Sequence, residues 1–135
     1  MKVLIWCWWA ILKDKKILLI KRHKDKKNYP NYWSFPAWTL EENDLSLEFA
    51  AKREVKEEVN LDFEITKKFW FYETILGEYR IIWFVFLWNI SWNIKIQQSE
   101  VSEYWWFNYK ETLSLDIAYS YKETLKDLFE LGYLK

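Results

Sequence analysis

Apolar positions along this chain fall into a few long blocks separated by short polar stretches. Val3 to Leu12 is one apolar run, Lys13 to Lys16 a polar break, and Ile17 to Arg22 a second block. Two apolar runs across so short a break predict a hairpin, although the break lacks the Asn-Gly or Asp-Gly pair that such turns favour. The polar stretch at 23–32, HKDKKNYPNY, holds Pro30 and shows no periodicity, which predicts a loop. Trp33 to Phe35 reads as a short strand leading into Pro36. A helix is expected from Ser46, a suitable N-cap, to about Glu58, with Leu47, Ala51 and Val55 as its buried stripe. Asn60 follows, where a left-handed C-cap residue is expected and Asn tolerates that conformation. Phe63 to Ile75 and Tyr79 to Asn89 predict two long strands joined around Gly77, and Asn93 to Gln97 a shorter one. Tyr104 to Tyr109 reads as extended. Leu113 to Leu134 reads as mostly helical, because Tyr121, Leu125, Leu128, Phe129 and Leu131 recur at helical spacing. A hairpin, a helix, further strands and a final helix make an α+β pattern. No internal repeat and no linker interrupts it, so residues 1–135 are expected to form a single domain.

The length of 135 residues suits that reading. A chain of this size buries roughly two-thirds of its unfolded surface. With 51% hydrophobic and 30% charged residues, the composition is that of a folded protein. Twenty basic and 20 acidic side chains leave no net charge, which argues against binding a nucleic-acid polymer but not against a pocket for one phosphorylated molecule. Cys7 is the only cysteine, so no internal disulfide is expected and a cytoplasmic location is the simplest reading. The apolar run at the start is short, lacks a small-residue cleavage site and passes straight into Lys13-Asp14-Lys15-Lys16, so a buried strand is expected there and not a signal peptide. No segment is long enough to predict a membrane span.

The expected helix carries the densest charge. Glu54, Glu57 and Glu58 share one helix face, since residues three and four apart are neighbours. Carboxylates that close repel one another unless a cation lies between them. An oxygen-only ligand set suits a hard ion such as Mg²⁺, which completes its shell with water and substrate phosphates. Arg53 is spaced to pair with Glu57 or to orient a neighbouring carboxylate. A solvated face laced with helix salt bridges accounts for the same residues equally well when they are taken alone.

The wider pattern adds to this. Ala37-Trp38-Thr39-Leu40-Glu41, then Asp44, then Ala50-Ala51-Lys52-Arg53-Glu54-Val55-Lys56-Glu57-Glu58-Val59-Asn60-Leu61 resembles the signature of Nudix hydrolases. From Arg53 through Glu58 the match has no gap, and Trp33-Ser34-Phe35-Pro36 is similar to the family's entry into the motif. Trp38 stands where the family has its first motif glycine, and Asn60 replaces the last one. Asp44 matches the loop glutamate only if Leu45 is an insertion. The resemblance implies a Nudix-like α/β/α sandwich around a mixed β-sheet. It implies a pyrophosphohydrolase that cleaves a diphosphate linkage in a nucleoside di- or triphosphate or a nucleotide derivative, with Mg²⁺ or Mn²⁺ assisting attack of water on phosphorus. Glu54, Glu57 and Glu58 would then be metal ligands, with the backbone carbonyl of Trp38 a further contact, and Arg53 would hold the glutamates. Glu54 or Glu100 would serve as general base. Arg22 could contact phosphate, and Trp33, Phe35 and Tyr32 could stack on a base, although core packing is the ordinary role of such rings. The partner implied is a small nucleotide, and the oligomeric state a monomer or homodimer. Two alternatives remain: an isoprenoid-diphosphate isomerase, which wants a catalytic cysteine and several histidines, and a non-catalytic nucleotide-binding module.

Eleven tryptophans and two glycines are an unusual balance, since about nine glycines are expected at ordinary usage. Trp38 and Trp92 stand where a motif and a hairpin want glycine. Trp6, Trp8 and Trp9 crowd one strand, and Trp70, Trp83 and Trp88 interrupt others. Trp33 and one of Trp105 and Trp106 suit their places. This is the pattern expected when UGA codons that encode glycine are read as tryptophan. A tryptophan-rich natural or designed variant is the alternative.

Overall fold

The computed structural model describes residues 1–39, 43, 45, 46, 49, 50, 52, 53, 67–90 and 103–135. The strands are β1 (Lys2–Lys13), β2 (Lys16–Lys21), β3 (Trp33–Ser34), β4 (Ala37–Thr39), β5 (Lys67–Leu76), β6 (Tyr79–Asn89) and β7 (Glu103–Phe107). After β7 come the helices α1 (Tyr109–Thr112) and α2 (Tyr121–Glu130). The chain divides into two compact units, one of Met1–Ala10 with Pro36–Trp88, the other of Ile11–Phe35 with Asn89–Lys135, and β1 contributes to both.

In the first unit β1 pairs antiparallel with β4 and neighbours β6, and β6 pairs antiparallel with β5 along its length. In the second unit β1 pairs antiparallel with β2, which carries β3 and β7 as antiparallel partners. Lys2 donates to the Glu78 carbonyl at 3.0 Å and Ile90 to the Leu12 carbonyl at 2.8 Å, so β1 and β6 advance in the same direction. One parallel neighbour among antiparallel pairs makes the sheet mixed, and the α+β class is the one expected.

The expected first hairpin forms. Its two-residue turn places Asp14 at φ 51° and Lys15 at φ 59°, the left-handed pair such a turn requires, without a glycine. From Cys7 to Leu12 every residue of β1 is buried, as in a strand covered on both faces. Trp8 and Trp83 stack at 4.5 Å within the first unit, and both are fully buried. The core of the second unit is built from Ile17, Leu18, Leu19, Phe35, Tyr121, Leu125 and Leu128.

Ser46 caps a helical segment as expected. Its hydroxyl accepts from the Phe49 N–H at 3.0 Å and its carbonyl from the Ala50 N–H at 3.0 Å. Phe49, Ala50, Lys52 and Arg53 are helical. The expected stripe of Leu47, Ala51 and Val55, the cap at Asn60 and the strand Asn93 to Gln97 lie outside the described residues.

Two expectations are corrected at the end of the chain. The extended segment stops at Phe107. Asn108 caps α1 through a reciprocal pair, its side chain accepting from the Glu111 N–H at 2.8 Å and its own N–H donating to the Glu111 carboxylate at 2.9 Å. Leu113 to Ser120 is not helical. Trp33 donates to the Asp116 carbonyl at 2.8 Å and accepts from Ala118 at 2.9 Å, which draws this segment along β3 with a parallel bridge between Trp33 and Ile117. Long-range pairing overrides the helical spacing there. On α2 itself Tyr121, Leu125 and Leu128 are buried with Thr124, whereas Phe129, and Leu131 just past the helix, are exposed. Gly132, at φ 84°, ends the helix, and Tyr133 donates back to the Leu128 carbonyl at 3.0 Å.

Candidate functional site

In the first unit, Trp38 is the middle residue of β4, opposite Cys7 on β1. Trp9 anchors the entry to that strand by donating to the Pro36 carbonyl at 3.3 Å. Arg53 is helical and half-buried, a few residues along from the Ser46 cap. The candidate ligands Glu54, Glu57 and Glu58 and the candidate base Glu100 lie outside the described residues. Among the described residues, no group of three His, Cys, Asp or Glu side chains could hold a metal ion.

The second unit brings Arg22 and Phe35 to opposite ends of one aromatic chain. Arg22 continues the β2 edge as a clasp on the loop that follows it. Its N–H donates to the Tyr32 carbonyl at 2.9 Å, its carbonyl accepts from Asn31 at 3.2 Å, and its Nε donates to the Asn28 carbonyl at 3.1 Å. The guanidinium lies over the Tyr119 ring, 5.7 Å from the centroid, in a cation–π contact. Tyr119 in turn meets Tyr29 at 4.5 Å and Tyr121 at 5.5 Å, and Tyr121 meets Phe35 at 5.1 Å. Phe35 is buried in this packing. Trp33 sits differently, edge-on to Phe107 at 5.1 Å with the Lys21 ammonium over its ring.

Tyr29 (φ 52°), Asn31 (φ 63°) and Tyr119 (φ 51°) hold left-handed backbone conformations. Asparagine adopts this readily, whereas for a bulky side chain it is strained. Strain persists only where the surroundings impose it, and here the ring contacts and the Arg22 clasp do so. Burial raises the Tyr119 pKa, and the Arg22 guanidinium only partly offsets this. Burial, and secondarily Tyr119, push the Tyr121 hydroxyl well above the ordinary tyrosine range. Both phenols are therefore neutral at physiological pH. Sequence reasoning did not single out Tyr29 or Tyr119. One lay in a polar loop and the other inside an expected helix, and no periodic signal marks either.

A family model described as NUDIX domain matches residues 5–128. The chain belongs to the Nudix family. It is thus a Nudix-type hydrolase, an enzyme of phosphorus-containing acid anhydrides. Solved Nudix structures share the fold. The crystal structure of the MutT protein from Methanosarcina mazei Go1 is similar with a TM-score of 0.81 at 21% identity, over 99% of this chain and 97% of that one. The NUDIX domain of Shewanella oneidensis NrtR, solved with ADP ribose, gives a TM-score of 0.80 at 17% identity, over 97% and 89%. The MutT NUDIX hydrolase from Burkholderia pseudomallei gives 0.79 at 21%, over 93% and 98%. No curated protein sequence matches the chain.

Proposed function

We propose that this Nudix hydrolase, as one domain over residues 1–135, is a divalent-metal-dependent pyrophosphohydrolase. It would cleave the diphosphate linkage of a nucleoside di- or triphosphate, or of a nucleotide derivative, by attack of water on phosphorus. The observation that carries the reading is the Ser46 cap, which sets Arg53 in helical backbone immediately before the Glu54, Glu57 and Glu58 set. The donor set fits a hard cation, being carboxylate oxygen plus the Trp38 carbonyl. When bound, Mg²⁺ or Mn²⁺ would offset phosphate charge and favour hydroxide over water. Arg53 orients the glutamates, and Glu54 or Glu100 takes the proton of the attacking water. Arg22 would contact a substrate phosphate and Trp33 would stack on a base. Phe35 is buried, so it acts by backing the aromatic chain. The ADP-ribose complex of the similar NrtR domain supports a nucleotide derivative as substrate class. The single cysteine supports a cytoplasmic location.

Turnover of a panel of nucleoside triphosphates, dinucleoside polyphosphates and ADP-ribose, with and without Mg²⁺, tests this. Metal-dependent release of phosphate or nucleoside monophosphate is expected, and full turnover in Glu57→Gln would rule out its assigned role. Isomerisation of an isoprenoid diphosphate is disfavoured, because Cys7 is buried and the chain has one histidine. Binding without turnover would favour the non-catalytic module.

The glycine deficit belongs to the same reading. We propose that Trp38 and several other tryptophans stand at UGA codons meant as glycine. The support is compositional: no tryptophan among the described residues has a positive φ, so backbone conformation alone does not demand glycine there. UGG codons at these positions in the nucleotide sequence would end the proposal.

A further inference from the structure

A second surface lies within the second unit, on the side chains of α1 and α2. Two adjoining cavities of about 360 Å³ and 320 Å³ share Tyr109 and Leu113 as lining residues. Their apolar floor is open to solvent. Leu113 is 61% exposed and Phe129 45% exposed, although large apolar side chains gain most from burial. The floor is also tied down by several contacts. Tyr109 and Phe129 stack at 4.3 Å and 13°, α1 is fixed by its Asn108–Glu111 box, and Tyr109 donates to the Lys135 carbonyl at 2.7 Å while Lys135 donates to Lys15 at 2.9 Å.

The rim is predominantly basic. Lys16, Lys110 and Lys135 line one cavity and Lys122 and Lys126 the other, against only Asp14 and Glu123, in a chain whose formal net charge is zero. Nearby acids are used locally. Glu111 is spent in the cap, and Glu130 pairs with Lys126 at 3.9 Å. Among the described residues, Lys16, Lys110, Lys122 and Lys135 enter no ion pair. An apolar centre inside a polar rim is the anatomy of a protein interface.

We infer that this face docks an acidic peptide segment of a partner protein, one bearing a large apolar side chain. The apolar side chain seats over Leu113 and Phe129, and flanking carboxylates meet the lysine rim, which both steers the encounter and selects against basic partners. Three of the lysines line one cavity and two the other, which fits an extended chain better than a single phosphate. The inference is independent of the substrate reading above.

Fluorescence anisotropy with the full chain tests it, using a labelled peptide Glu-Asp-Glu-Leu-Phe-Glu-Asp-Glu as probe and NMR amide shifts to locate binding. Saturable binding is expected, weakened by salt, with shifts at Tyr109, Leu113 and Phe129. Leu113→Ser and, separately, Lys110→Glu with Lys122→Glu should each weaken it about tenfold or more, leaving nucleotide hydrolysis unchanged. All three positions are exposed, so the variants are expected to fold. Four results would overturn the inference: equal binding of a peptide with lysine in place of its acids, equal binding of one with serine in place of Leu-Phe, shifts confined to other residues, or a dimer of the chain that Leu113→Ser dissolves.

Discussion

The β5–β6 hairpin and the loop between β2 and β3 meet the same backbone demand in opposite ways. Both must turn the chain through left-handed residues. The hairpin uses Gly77 at φ 60°, with open space around it, and pairing then runs unbroken from Leu76–Tyr79 to Trp70–Val85. The loop uses Tyr29 and Asn31, and the contacting segment before α2 uses Tyr119. In the first case residue type satisfies the conformation locally. In the second, packing imposes it: rings stack on rings, and Arg22 ties the loop back to its own base. A turn held by its residue is tolerant of its surroundings, whereas a turn held by contacts fails when they go.

The largest expected effect tests the contact-held side. Tyr121→Ala removes the buried ring between Tyr119 and Phe35 and should cost about 3–5 kcal/mol in a denaturant titration. A loss under about 1 kcal/mol would show that packing does not hold this region. On the residue-held side, Gly77→Ala should cost about 1 kcal/mol through φ alone, since a Cβ there meets nothing within 4 Å. Lys15→Gly is its mirror image. It should stabilise the first hairpin by about 1 kcal/mol, because Lys15 is exposed and holds φ 59°. Opposite signs in these two thermal shifts support the comparison, and equal signs break it. Arg22→Ala should cost about 0.5–1 kcal/mol, and should speed hydrogen exchange at Asn31 while leaving the Gly77 hairpin protected.

The smallest effect is on pH dependence. The Tyr121 pKa is raised in the folded state above its ordinary 10.0, so the unfolded chain loses this proton first. Above pH 10 the unfolded state therefore binds fewer protons and stability falls, until the folded pKa is passed. Below that window the contribution is fully present. Tyr121→Phe should flatten this alkaline decline, and an unchanged slope would place the titrating group elsewhere.

The same contrast explains what was legible beforehand. Strand blocks at the first hairpin, Gly77 and the Ser46 cap were readable because each is a local signal, an apolar run, a glycine or a hydroxyl at the right spacing. Tyr119 and the segment from Leu113 to Ser120 were misread as helix because their conformation comes from pairing with Trp33, far away in sequence. Phe129 and Leu131 share the helical spacing yet stay exposed, Phe129 with its ring against Tyr109 of α1, because spacing alone does not separate a buried face from an open one. The Arg22 end of the candidate site was visible as a charge at a strand terminus. Its partners Tyr29 and Tyr119 were not, since ring contacts across a loop leave no periodic trace.

The most direct test of the central claim, metal-dependent attack of water on phosphorus through the carboxylates that follow Arg53, is hydrolysis of a nucleotide substrate in ¹⁸O-labelled water. Wild-type protein with Mg²⁺ should place ¹⁸O in a phosphate product, with label lost on chelation and the rate reduced about a hundredfold or more in Glu57→Gln, in keeping with loss of several kcal/mol of charge stabilisation. Label incorporation at an undiminished rate in Glu57→Gln, or without any divalent cation, would contradict the account.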